Sequence, residues 1–258
     1  MDLALLIAYL VPLTILFLYC IMQFSLIISH FKYQTPIASK IELTEFPLVT
    51  IQLPIYNEQY VVNRLMDSII KIDYPKDKLE IQVLDDSNDI TTTLLQLKID
   101  EYQNQGFDIS MINRPNRKGY KAGALQYGLA LAKGEFIAIF DADFIPDKDF
   151  LYKTIPLFSN PKVGVVQSRW EHINENYSLL TKLQAFGLDA HFFIEQPGRS
   201  SAHHFINFNV TAGVWRKKTI IDAGDWSPDT LTEDLDLSYR AQLKGWKFEY
   251  LRELESPA

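Results

Sequence analysis

Cysteine is all but missing from this chain. Cys20 stands alone among 258 residues, so no internal disulfide can form. That fits a reducing, cytoplasmic setting for the soluble part, because disulfides belong to oxidising compartments. Long basic runs are absent, and the formal net charge is -7, which argues against a general nucleic-acid binder. A glycine-rich phosphate loop is absent as well. Gly119, Gly123, Gly128 and Gly134 make neither G-x-G-x-x-G nor a P-loop, which speaks against a Rossmann dehydrogenase and a P-loop NTPase. A nucleotide would have to be held by a metal, by side chains and by stacking. His191, His203 and His204 have no Cys or His partner at zinc spacing, and structural or surface roles are expected for them.

Charge is also missing from Leu3 to Ile28, which holds no Lys, Arg, Asp or Glu. At about 1.5 Å per residue such a stretch is long enough to cross a bilayer as one helix. A cleaved signal peptide would need a basic start, and the chain begins Met1-Asp2. Lys32 and Lys40 follow the segment, so the positive-inside rule puts the remainder on the cytoplasmic side. The expected organisation is a membrane span over 1–30, a linker over 31–45 and one domain over 46–258.

What is present in that domain is alternation. Strand-like runs at 48–53, 79–84, 109–112 and 137–140 are separated by helical spacing at 61–70, 91–104 and 121–133. Pro54 is expected to close the first strand. This pattern predicts an α/β fold with a mostly parallel sheet and helices on both faces. Three strand ends, at 54–58, 85–89 and 141–143, carry carboxylates or polar loop residues, and all should open on one edge of the sheet. Further on, 163–167 reads as a strand and 178–193 as a helix. Gln167 to Trp170 reads as a strand end and loop.

The chain is organised around Ile137-Ala138-Ile139-Phe140-Asp141-Ala142-Asp143-Phe144. Carboxylates at the end of a buried strand are costly unless something cationic meets them. Asp141 and Asp143 with a substrate phosphate suit Mg2+ or Mn2+. An Asp-rich turn is the plainer account of the same residues. Thr232 is expected to cap a helix, with Glu233 and Asp234 in its first turn. Those acids either serve the cap or are held there and pointed at a site.

Taken in order, these segments resemble a family 2 glycosyltransferase of the GT-A fold, a Rossmann-like nucleotide-diphospho-sugar transferase architecture. Pro54-Ile55-Tyr56-Asn57-Glu58 and Val83-Leu84-Asp85-Asp86-Ser87 look like its two nucleotide loops. Gly119 to Leu125 is similar to its K-A-G-A-L segment, Asp141-Ala142-Asp143 to D-x-D, and Thr232-Glu233-Asp234 to T-E-D. Gly119 to Leu125, Ala138 to Phe144, Thr211 to Arg216 and Lys244 to Phe248 resemble the cellulose-synthase-like mannan and glucan synthases most. The resemblance implies a membrane-anchored inverting enzyme that moves a hexose from UDP-glucose or GDP-mannose to a glycan or lipid-linked acceptor. It implies Asp143, with Asp141 beside it, at the metal. Pro54, Tyr56, Glu58, Asp86 and Lys121 would hold the nucleotide sugar. Asp234 would be the base, with Glu233 next to it, and Asn209, Thr211 and Trp215 would hold the acceptor.

Two departures stand out. Asn209-Val210-Thr211 has valine where the family often has glycine, and glycine allows backbone geometries that valine resists. The chain also ends at Ala258, before the Q-x-x-R-W motif that the family carries beyond T-E-D. A truncated, catalytically silent nucleotide-sugar-binding module is the alternative reading. A nucleotidyltransferase is a weaker one, since it would not need the Thr232-Glu233-Asp234 segment.

Overall fold

The computed structural model describes residues 3–33, 45–230 and 232–258; most of the expected linker, 34–44 with Pro36 and Lys40, lies outside them. The apolar N-terminal run forms one helix, α1 (Leu3–His30), whose most apolar window is wholly exposed on the protein and long enough to cross a membrane.

Seven strands among the described residues form one sheet. They are β1 (Val49–Ile55), β2 (Leu79–Asp85), β3 (Asp108–Ile112), β4 (Phe136–Ile139), β5 (Val163–Glu171), β6 (Gly213–Arg216) and β7 (Lys247–Pro257), in the order β3-β2-β1-β4-β6-β5-β7. β3, β2, β1 and β4 pair in parallel, and so do β5 and β7. Only β6 runs antiparallel, between β4 and β5. The expected α/β sheet, mostly parallel, is the one observed.

Helices cover both faces. α2 (Val62–Ile69), α3 (Thr91–Asn104) and α5 (Phe150–Thr154) share one core with Val49, Ile51, Leu53, Phe136 and Ala138. α4 (Tyr120–Leu131), α8 (Lys217–Asp222) and α9 (Glu233–Leu243) share the other with Ile137, Ile139 and Trp215. Successive β4 residues thus feed opposite cores, as period-two side chains must. The buried carboxylate of Glu80 is paired inside the sheet. Glu80 accepts from Thr50 Oγ1 (2.6 Å) and from the Lys133 N–H (2.8 Å), tying β1 and β2 to the turn before β4.

Two boundaries differ from the sequence reading. β1 runs through Pro54 to Ile55, because beyond Gln52 it has β2 but no longer β4 beside it, and a missing N–H costs little there. β5 continues through Gln167 and Trp170 to Glu171, because β7 pairs with it as far as Pro257.

α6 (Leu179–Asp189) starts at a capping box between Ser178 and Thr181, passes into a π-helical turn over Ala190–Glu195, and ends as α7 (Gln196–Ser201). Pro197 stands where the π-helical turn passes into α7, a junction of the kind at which helices bend. α1 rests on this unit. A Cβ on Gly198 would lie 2.5 Å from the carbonyl oxygen of Leu26, so only glycine permits the approach. Tyr33 donates to the carbonyl of Tyr250 just past the helix end.

Glu195 knits the π-helical turn to α7, accepting from His191 Nδ1 (3.0 Å) and Arg199 Nε (2.9 Å). The His191 bond, reinforced by Arg199 against burial, pulls its carboxyl down from 4.5 to about 2. A depressed carboxyl stabilises the fold fully above its unfolded value, and that contribution disappears as pH falls through the folded one. Unfolding followed from pH 6 to pH 2 should therefore lose stability between about 4.5 and 2, and Glu195→Gln should flatten that portion of the profile.

Candidate active site

β1, β2 and β4 end on the same edge of the sheet. Their loops line one cleft of about 440 Å³ with Pro54, Tyr56, Glu58, Asp86, Arg117, Lys121, Asp141 and Asp143 on its walls. All seven residues read from the sequence as donor-binding are therefore together. A larger groove of about 720 Å³ lies near Lys32 and His203 and contains none of them.

Asp141 is held from two sides. Its backbone N–H donates to Thr211 Oγ1 (2.8 Å), and its carboxylate pairs with the Lys121 ammonium. Burial pushes its pKa up, and Lys121 opposes that push. Asp143 is exposed, and Arg64 donates to its carbonyl oxygen (3.1 Å). Glu58 also titrates high, first from burial and then from repulsion by Asp143 and Asp141. With Asp86, four carboxylates thus share one cleft.

No group of three or more His, Cys, Asp or Glu side chains among the described residues is arranged to enclose a metal ion. The donor set fits a hard divalent ion carried in with a phosphorylated ligand, which needs only one or two protein carboxylates. Asp143 is free to supply one, and Asp141 becomes available if Lys121 turns to a phosphate.

Asp234 sits in the first turn of α9. Burial raises its pKa, while N–H groups of Leu235 and of its own backbone oppose the rise. The charges of Lys121 and Asp141 act on it as well, and it does not line the cleft. Thr232 occupies the expected cap position but makes no side-chain capping bond. Leu231 lies outside the described residues. Glu233 is half-buried next to Asp234.

The expected acceptor residues are only partly brought to the cleft. Trp215 is fully buried in β6 among Phe208, Trp226 and Phe248, with ring centroids 5.3–5.9 Å apart, so it has no free face for a sugar. Thr211 is fully buried, and its hydroxyl is engaged by Asp141. Asn209 keeps a side-chain nitrogen with no partner among the described residues. Around them the backbone is strained, with φ of +62° at Val210 and +55° at Ala212. A β-branched residue there is a true outlier. The turn persists because Gln167 Nε2 donates to the carbonyls of Thr211 (3.1 Å) and Ala212 (3.0 Å), and Ser168 Oγ donates to Ala212 (2.6 Å).

Sequence reasoning missed Arg114 and Arg117. Arg114 forks onto both carboxylate oxygens of Asp86 and donates to the carbonyls of Lys118 (2.7 Å) and Tyr120 (2.6 Å). It thereby locks the end of β2 to the start of α4, where Lys121 begins its reach. Arg117 lies 3.3 Å from the ring centroid of Tyr56. Two arginines three apart, just ahead of Gly119-Tyr120-Lys121, were the available signal.

Parallel strands, an edge of carboxylate-bearing loops and a helix of acidic first turn define the GT-A class of sugar-nucleotide fold. The chain belongs to glycosyl transferase family 2, whose profile matches residues 50–221. It is 46% identical over 218 residues to probable glucomannan 4-beta-mannosyltransferase 4 of Oryza sativa subsp. japonica, covering 83% of this chain and 40% of that one. It is 44% identical over 234 residues to glucomannan 4-beta-mannosyltransferase 9 of Arabidopsis thaliana, covering 88% and 44%. The chain thus spans about two fifths of the length of these curated relatives. Its fold matches the mannosyltransferase PcManGT from Pyrobaculum calidifontis, solved with GDP-Man and Mn2+, at a TM-score of 0.72 with 20% identity, over 92% of this chain and 65% of that one.

Arg114 and Asp86 are both under a tenth exposed. Arg114→Ala should destabilise the chain by about 3 kcal/mol, because it strands a buried carboxylate. Arg114→Lys should keep the charge, lose the fork and recover only part. Val210→Gly should stabilise by about 1 kcal/mol by relieving the left-handed backbone. Urea midpoints of the full chain in detergent check all three.

Proposed function

We propose that this chain is the donor-binding and transfer domain of a membrane-anchored inverting mannosyltransferase, using GDP-mannose and a β-linked mannan-type acceptor. The observation that carries the reading is the cleft at the ends of β1, β2 and β4, where Tyr56, Asp86, Lys121, Asp141 and Asp143 meet. The named relatives supply the sugar, and α1 supplies the anchor, with the domain on the cytoplasmic side.

Tyr56 offers an aromatic face to the nucleobase, and Asp86, oriented by Arg114, accepts its N–H groups. Lys121 leaves Asp141 to meet the diphosphate as a point charge. A Mg2+ or Mn2+ ion held by Asp143 and Asp141 would neutralise charge on the departing diphosphate. Asp234 takes the proton of the acceptor hydroxyl as that oxygen bonds the anomeric carbon. The anomeric carbon–oxygen bond to phosphate breaks on the opposite side, so an α-linked donor yields a β-linkage. Burial of Asp234 suits this task, since a raised carboxyl is the stronger base.

Calorimetry of the full chain in detergent with Mn2+ should show binding of GDP in preference to UDP, abolished by Asp143→Asn. Failure of both nucleotides to bind a folded sample would refute the donor site. Asp234→Asn should retain GDP binding yet lower transfer by about a hundredfold or more. The acid limb of the wild-type rate profile should lie above the ordinary carboxylate range, because the group must lose a proton that burial holds on. Donor binding without any transfer by the wild-type chain would instead favour a silent binding module.

A further inference from the structure

α6 has the face of a core helix and no core to meet. Of its eleven residues only Ala185 is buried. Leu179, Leu183 and Phe186 fall on one stripe at helical spacing and are 75%, 60% and 76% exposed, with Leu180 beside them. Phe193 extends the stripe into the π-helical turn. Contiguous apolar surface of this kind marks a docking face. Its partner has to be apolar in depth and polar at the rim.

Two further observations select that partner. The π-helical turn and α7, which continue α6, pack against the last turns of α1, where Leu26 meets Gly198 and the His30 and Phe193 rings lie 5.6 Å apart. α6 therefore leaves the protein at the level where the apolar helix emerges. The charges around it are mixed: Asp189 closes α6 and Glu253 pairs with Arg252 (2.7 Å), among cations near the end of α1. Lys182 is exposed on α6, Lys32 follows α1, and the Arg252 guanidinium lies 5.3 Å from the Phe193 ring and 5.1 Å from the Tyr33 ring. An apolar stripe with Lys182 beside it, at the end of a bilayer-length helix, matches the boundary between acyl chains and headgroups.

We infer that α6 lies in the membrane interface, with Leu179, Leu183 and Phe186 in the acyl boundary, and so fixes how the catalytic domain sits on the bilayer. The inference rests on the reading of α1 as a membrane span. A second copy of the chain on the same face is the competing occupant, and the test separates the two.

The full chain carrying Cys20→Ser receives single nitroxide labels through Leu183→Cys, Phe186→Cys, Lys182→Cys, Leu97→Cys on α3, and Leu16→Cys inside α1. Reconstituted into phosphatidylcholine vesicles containing phosphatidylserine, labels at 183 and 186 should be reached by oxygen and shielded from a water-soluble nickel chelate. They should report a depth shallower than position 16. The label at 97 should be open to the chelate, and that at 182 should lie between. Leu179→Cys and Leu180→Cys repeat the measurement if either variant misfolds. Chelate access at 183 and 186 equal to that at 97, with 16 still in the bilayer, overturns the inference alone. Chelate access at 16 as well overturns the anchor reading with it. Shielding from both reagents, with dipolar broadening between labels, assigns the face to a second copy and overturns it too.

Discussion

The backbone N–H of Asp141 and the hydroxyl of Thr211 make the bond on which the rest of the site depends. β4 has only four residues, yet it joins the parallel strands β3, β2 and β1 to the β6-β5-β7 half of the sheet. Where β4 stops, the chain must turn its carboxylates toward the edge without orphaning a buried N–H. Thr211 supplies that partner, and Ala212 N–H returns a bond to Ile139 (2.8 Å). Thr211 can reach only because Val210 and Ala212 adopt left-handed backbone, which Gln167 and Ser168 hold in place. Local strain at the site is thus offset by hydrogen bonds from β5, one strand further out.

The same economy governs charge. Burial makes a lone carboxylate unfavourable, and the four in this cleft repel. The protein answers this unevenly. Asp86 is neutralised permanently by a fork from Arg114, whereas Asp141 has a single flexible lysine, and Asp143 has no side-chain partner among the described residues. The gradient from locked to free runs from the Asp86 end of the cleft toward the D-x-D end. A rigid carboxylate suits recognition of a planar base, and unsatisfied ones suit an ion that arrives with its ligand.

The parts legible in the sequence were those with a period or a motif. The alternation from 48 to 143 gave the parallel half of the sheet, and turn-forming carboxylates at three strand ends gave the edge where the cleft opens. β6 and β7 carried no such signal. β6 is four residues inside an aromatic segment, and its direction is set by pairing on both sides. Pro54 and Gln167 were misplaced for a related reason: a strand boundary is decided by which neighbour is still alongside, and that is a tertiary fact. The pair of arginines ahead of α4 was there to read, but the partner of Arg114 lies twenty-eight residues away.

Trp215 shows where resemblance outruns local physics. A tryptophan in a sugar-binding segment invites a stacking role, but its β6 position points it into the core with Trp226 and Phe208. Period two then decides its neighbours: Val214 goes to the opposite core, and neither side chain reaches the cleft. Thr211 is likewise spent on the backbone of Asp141. Asn209 Nδ2 and Trp215 Nε1 both lack a partner among the described residues, but the Trp215 ring is sealed in the core. The segment 209–215 therefore acts mainly by shape. It holds Asp141 in position, and a side chain that alters its backbone acts on the carboxylate cleft first.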